Sequence, residues 1–281
     1  MIVSASRRTD VPAFYGEWFV NCLRRGWVEI ANPFNPRQQR VIELSPEKVE
    51  VIVFWSKYPA PFLKYLNFLD RWGYRYYFLL TLNPYPPFLE KGVPPLEERI
   101  KVFRRLSERV GKERVVWRYD PVIVGPEFPP SYHRENFACL AEALASYTER
   151  VVVSFLELYR RVRVRLHRAG LEVFDMRAQE RREEALALAA ALAEIARNWG
   201  LEIFSCAEKL NLSPAGIRPG ACIDPLLINR VFQLFLPYRK DPGQRRECLC
   251  TRAVDVGAYG TCRFGCLYCY GRNRYQRRDE R

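Results

Sequence analysis

Apolar, β-rich runs alternate with helical runs along almost the whole chain, and that alternation restricts the possible folds more than any other feature. Residues 2–6, 49–56, 75–82, 114–120, 151–155, 201–205 and 252–257 read as strands. Between them, residues 13–25, 61–72, 96–110, 134–146 and 180–199 read as helices, the last with Leu188, Leu192, Ile195 and Trp199 on one apolar stripe. Gly73, Gly111 and Gly200 stand where helices should stop. Residues 27–44, with Asn-Pro-Phe-Asn-Pro at their centre, read as a hairpin insertion. Repeated strand–helix–strand units predict an α/β fold, with parallel strands and outer helices curled into a full or partial (β/α) TIM-like barrel. No fixed repeat or low-complexity linker divides the chain, so one domain is expected. Residues 1–251 would form its main part, and 252–281 would add a last strand, a cysteine loop and a basic tail.

In such folds chemistry gathers at the C-terminal ends of the strands. Polar residues recur at that place: Arg7, Arg8 and Asp10 after the first strand, Lys57 after the second, Arg118 and Asp120 at the fourth, and Glu208 after the sixth. Any one of them could simply cap a strand end on a wet loop; the recurrence favours a polar, partly anionic ligand. The 45 Lys plus Arg against 32 Asp plus Glu give +13. This charge has two readings, an anionic partner such as nucleic acid or an Arg-rich composition with solvated faces. The positives are dispersed, except in the tail after Tyr270, which holds five Arg. No run approaches the roughly 18 apolar residues of a membrane helix. The N-terminus carries Arg7, Arg8 and Asp10 rather than the apolar core of a signal peptide, so a cytoplasmic location without membrane attachment is expected. The two histidines, His133 and His167, sit in no catalytic pattern.

Cysteine carries the chemical signal. Of nine, seven lie in the last 76 residues. The odd count and the clustering argue against a disulfide scaffold and for metal or redox chemistry. Cys22 and Cys139 lie alone among apolar residues and read as core cysteines. Cys262, Cys266 and Cys269 form C-x3-C-x2-C, with Tyr268 before the last cysteine. Three thiolates on one loop can hold three irons of a four-iron cluster and leave the fourth open; a zinc knuckle is the competing reading.

This pattern resembles the signature of radical S-adenosylmethionine (radical SAM) enzymes. The resemblance implies a partial (β/α) barrel and a [4Fe–4S] cluster on Cys262, Cys266 and Cys269, with the open iron chelated by SAM and Tyr268 near the adenine. It also implies reductive cleavage of SAM to methionine and a 5′-deoxyadenosyl radical that abstracts hydrogen from a substrate, with flavodoxin or ferredoxin as electron donor. The segments SASRRTDVPAFY, VIVFWSKYP, WRYDP, SCAEK and QRRECLC through DVGAYGTCRFGCLYCY are similar to the functionally uncharacterised DUF1848 family. Radical SAM enzymes usually carry the cysteine loop near the start of the domain, whereas here it lies near the end. A circular permutation would account for this, with residues 252–257 as topological first strand and 2–6 as second. The place of the superfamily's Gly-Gly-Glu-like motif would then fall on residues 6–10, where Asp10 could meet the SAM amino group and an Arg its carboxylate. Lys57, Arg118, Asp120 and Glu208 are further candidates for SAM or substrate.

Cys206, Cys222, Cys248 and Cys250 make a complete ligand set for a second [4Fe–4S] cluster or one zinc. The cluster is the favoured expectation, since the first site already implies cluster loading; unrelated thiols are the alternative. Two further functional readings remain beside an unknown substrate. One is a nucleic-acid-modifying or repair radical enzyme. The other is a non-catalytic iron–sulfur or zinc protein for electron transfer or sensing.

Overall fold

The computed structural model describes residues 1–33 and 35–272; the Arg-rich stretch 273–281 lies outside the described residues. The strands are β1 (Ile2–Ala5), β2 (Trp27–Asn32), β3 (Asn35–Glu43), β4 (Val51–Ser56), β5 (Tyr76–Thr81), β6 (Val115–Val122), β7 (Arg150–Phe155), β8 (Glu202–Cys206), β9 (Arg218–Gly220) and β10 (Val254–Asp255). The helices are α1 (Val11–Phe14), α2 (Gly16–Arg25), α3 (Leu66–Arg71), α4 (Leu96–Val110), α5 (Pro130–Leu144), α6 (Arg160–Arg168), α7 (Arg182–Asn198) and α8 (Pro225–Phe232). Eight strands form one sheet in the order β10-β1-β4-β5-β6-β7-β8-β9, and every neighbouring pair is parallel. The last strand pairs with the first, Ser4 opposite Asp255. Among the described residues β9 and β10 do not pair, so the sheet keeps two edges and is not a closed barrel. β2 and β3 form the expected antiparallel hairpin apart from it.

Strand alternation sorts side chains onto two faces. Val3, Ile52, Phe54, Tyr76, Phe78, Trp117 and Val151 turn to one face and join the apolar sides of α2, α4, α5 and α7 in the main core. Their sequence neighbours, Ile2, Val51, Val53, Tyr77, Leu79, Val116 and Val152, turn to the other face and pack against α8 and four cysteines. Fully burying each of these large apolar side chains contributes on the order of 2 kcal/mol.

Several elements differ from the sequence reading. The helix expected at 13–25 breaks at Tyr15, where α1 ends and α2 begins. The N-terminal half of the one expected at 61–72 is a 3-10 turn, Ala60–Tyr65. β9, α6 and α8 went unread, being short or, in α6, crowded with Arg. Trp199 lies past the end of α7 and is exposed. Cys22 is buried as expected, but Cys139 is exposed. On α5 the buried stripe runs through His133, Phe137, Leu140, Ala141 and Leu144, and position 139 falls off it. No helix among the described residues is long and apolar enough to cross a membrane.

Candidate metal and cofactor site

The face that packs on α8 turns polar toward the C-terminal strand ends. The alternation that buries Ile2, Val53, Leu79, Val116 and Val152 delivers Ser4, Trp55, Thr81, Arg118 and Ser154 two residues later to the same face. The seam between β1 and β10 is held by Asp255. Its carboxylate accepts from Ser4 Oγ (3.1 Å), Ser6 Oγ (2.5 Å), Arg7 N (2.8 Å) and Gly257 N (3.0 Å). Gly257 is needed for this approach, because a Cβ there would lie 2.1 Å from Ser6 Oγ. Asp10 makes a second junction. It caps α1 through Ala13 N (3.0 Å) and accepts from Ser56 Oγ (2.8 Å) and Lys57 N (2.7 Å), tying β1 to the end of β4. Burial pushes its carboxyl up to about 7, against the pull of these hydrogen bonds.

The cysteine loop lies over these junctions. Tyr15 Oη donates to Thr261 O (2.6 Å), Leu267 N to Leu89 O (3.0 Å) and Gly92 N to Phe264 O (2.9 Å). A Cβ on Gly92 would stand 3.0 Å from Arg263 O, so the residue's lack of a side chain lets the two backbones meet. Arg165 of α6 donates to the carbonyls of Leu267 (2.9 Å) and Cys269. Cys262, Cys266 and Cys269 lie within electrostatic reach of one another. Cys266 is buried, while Cys262 and Cys269 are partly open. Burial raises the Cys262 thiol to about 12 and raises Cys266 as well. Tyr268 is locked beneath the loop: its hydroxyl donates to buried Glu90, which also accepts from Lys57 Nζ (2.7 Å). Lys57 Nζ stands 5.5 Å from the Tyr268 ring centroid.

Two guanidinium groups border the mouth. Arg7 and Arg118 flank the Trp55 indole, at 5.4 Å and 4.9 Å from its centroid. Arg7 pairs with Asp241 (3.3 Å); Arg118 pairs with Asp120 and donates to Thr81 Oγ1 (3.2 Å). Arg7 Nη2 and Arg118 Nε are buried and have no hydrogen-bond partner in the protein. Buried donors in that state suit a polar or anionic ligand. Both groups act electrostatically on Tyr270, beside Cys269. Arg8 reaches Gly257 O (3.3 Å) and stacks on Tyr259 (5.3 Å), at the base of the loop.

The other four cysteines also converge. Cys206 ends β8, Cys222 follows β9, and Cys248 and Cys250 arrive on the segment before β10. That segment crosses the α8 face, so the latter pair reaches the same place as the end of β8. Cys222 and Cys206 sulfurs are 3.2 Å apart, and Cys248 and Cys250 lie within interaction reach of Cys206 and of each other. All four are buried, and none forms a disulfide.

Asp120 and Glu208 are satisfied within the protein. Asp120 meets Arg118 and Ser154. Glu208 pairs with Arg177 (3.0 Å) and accepts from Phe155 N (3.0 Å), both holding the wall of the mouth. His133 is structural, buried between Tyr119 Oη (2.9 Å) and Ile123 O (2.7 Å), and burial lowers it to about 4. Sequence reasoning missed Glu90, Arg177 and Arg99, whose buried guanidinium stands 3.7 Å from Glu90. Glu90 lies in a Pro-rich loop after β5 and belongs to no motif; a carboxylate past a strand end was the only signal.

The arrangement defines an α/β protein with a thiol-bearing loop over the C-terminal end of a parallel sheet. The chain belongs to the family described as a domain of unknown function (DUF1848), whose profile matches residues 2–271. No curated protein and no solved structure matches the chain significantly.

Proposed function

We propose that this protein is a radical SAM enzyme with a circularly permuted, partial (β/α) barrel. The carrying observation is the loop of three neighbouring, non-disulfide thiols at the strand ends, beside buried guanidinium donors that lack protein partners. The permutation is supported by β10 pairing with β1. The edges of the sheet also approach through Thr251 N donating to Ile223 O (3.0 Å), as a curled sheet would require.

Cys262, Cys266 and Cys269 fit a [4Fe–4S] cluster: three soft ligands on one loop, from whose thiols a bound metal would displace the protons to solvent. Such a cluster, with SAM bound, would supply the electron for reductive cleavage of SAM. The residues of the chain do the rest. Arg7 and Arg118 bind carboxylate or phosphate oxygens of SAM or of an anionic substrate. Lys57 and Glu90 fix Tyr268 against the loop, where it would be placed to border the adenine. Asp10 and Arg8 position the loop, and Asp120 and Glu208 brace the wall. An acidic one-electron donor such as flavodoxin or ferredoxin would supply the reducing equivalent.

Anaerobic reconstitution tests the reading. About four irons per chain are expected at this loop, and adding SAM should change the electron paramagnetic resonance spectrum of the dithionite-reduced cluster. An identical spectrum with and without SAM would favour an electron-transfer or sensing role. One observation favours nucleic acid as the substrate: α6, which holds the cysteine loop through Arg165, also carries Arg160, Arg161, Arg163 and Arg168 on its surface. Binding to single- or double-stranded nucleic acid that weakens steeply with salt would support it.

A further inference from the structure

The four cysteines away from the loop have a spacing that bears on which metal they hold. Cys206 and Cys222 sulfurs lie 3.2 Å apart, too far for a disulfide. Cys250 contacts the thiols of Cys206, Cys222 and Cys248, and Cys206 contacts Cys248. A tetrahedral zinc with Zn–S bonds of about 2.3 Å sets its thiolates about 3.8 Å apart, in mutual contact. A four-iron cube instead puts an iron and its sulfides beneath each thiolate, holding the four sulfurs at separate corners and out of contact. The sequence favours a second cluster here; the packing of the thiols favours one ion.

The surroundings suit an anionic metal–thiolate centre. Zinc with four thiolates carries a net charge of about −2. Arg7 faces Cys250 and Cys248, Arg118 faces Cys222, and Arg245 faces Cys206. Ile223 N donates to Cys250 Sγ (3.3 Å), as a backbone amide does to a coordinated thiolate. Cys206 and Cys250 are 9% and 1% exposed, which leaves no open position of the kind catalytic zinc keeps.

We propose that Cys206, Cys222, Cys248 and Cys250 bind a single structural zinc ion that clasps the two unpaired edges of the parallel sheet. Cys222 lies just past β9 at one edge, Cys250 just before β10 at the other, and Cys206 at the end of the neighbouring β8. The clasp also sets Arg7, whose partner Asp241 donates its backbone N–H to Cys250 O (3.3 Å). This assignment does not depend on SAM chemistry at the other cysteine loop.

The test is metal analysis of the full chain, purified anaerobically from cells supplied with both iron and zinc. One zinc per chain is expected, retained in Cys266→Ala and lost in Cys222→Ser. Cobalt(II) in place of zinc should give the visible bands of a tetrahedral tetrathiolate, and these too should vanish in Cys222→Ser. Wild-type protein with about eight irons and no zinc would overturn the proposal and leave the SAM reading intact. Four irons without zinc would overturn it equally. One zinc without iron would uphold the clasp and count against the radical reading. These wild-type counts decide even if Cys222→Ser fails to fold.

Discussion

The two cysteine groups are built in opposite ways. Cys262, Cys266 and Cys269 lie on one short loop, and two of them are partly open to the mouth. Cys206, Cys222, Cys248 and Cys250 come from three separated segments and are sealed under α8. Three thiols on an open loop would leave a metal a coordination position for chemistry; four sealed thiols would leave it none. Arg7 and Arg118 stand between the groups, facing the tetrad on one side and Tyr270 on the other. One group is thus suited to react, and the other to hold the guanidinium groups that would orient what reacts.

The contrast can be broken by substitution. On the proposed function, Cys266→Ala should abolish SAM cleavage, because it removes the buried one of the three loop thiols. Its thermal stability, followed by circular dichroism, should stay near that of wild type. Cys222→Ser should act in the other direction, chiefly on stability. A loss on the order of 4 kcal/mol would lower Tm by about 10 °C, measurable by calorimetry.

The frame that carries both groups has its own pH limit. His133 is neutral and enclosed by Tyr85, Tyr119 and Tyr132, with its ring held down to about 4 from 6.5. An unfolded chain takes up that proton near 6.5, so the contribution is complete above that pH and is lost as pH falls toward about 4. Urea titrations should show a decline on the order of 3 kcal/mol across this window, and His133→Gln should remove that part of it. Gly92→Ala should cost about 2 kcal/mol and lower iron occupancy at the loop without changing any metal content of the tetrad, because the atoms nearest its Cβ are loop backbone. Arg118→Lys keeps the charge but loses the planar fork, so ligand affinity by calorimetry should fall about tenfold with little change in Tm.

The sequence exposed what local pattern can expose. The spacing of Cys262, Cys266 and Cys269 was legible as a candidate metal loop because the three thiols are contiguous in sequence. The parallel strands were legible from alternation, and the pairing of the last strand with the first followed from the neighbour logic of a barrel. The junctions at Asp10 and Asp255 could be read only as polar strand ends, since their partners lie 46 and 251 positions away in Ser56 and Ser4. Glu90 was silent for the same reason: it becomes informative only when Tyr268 arrives from 178 residues away. The tetrad was visible as a set of thiols, but its metal preference depends on spacing between sulfurs, which no sequence pattern encodes.

The most direct measurement is 5′-deoxyadenosine formation by anaerobically reconstituted protein given SAM and dithionite, with Cys266→Ala alongside. Production by wild type and none by the variant is the predicted result. A wild-type protein with a full complement of iron at the loop that forms no 5′-deoxyadenosine under any reductant would contradict the account.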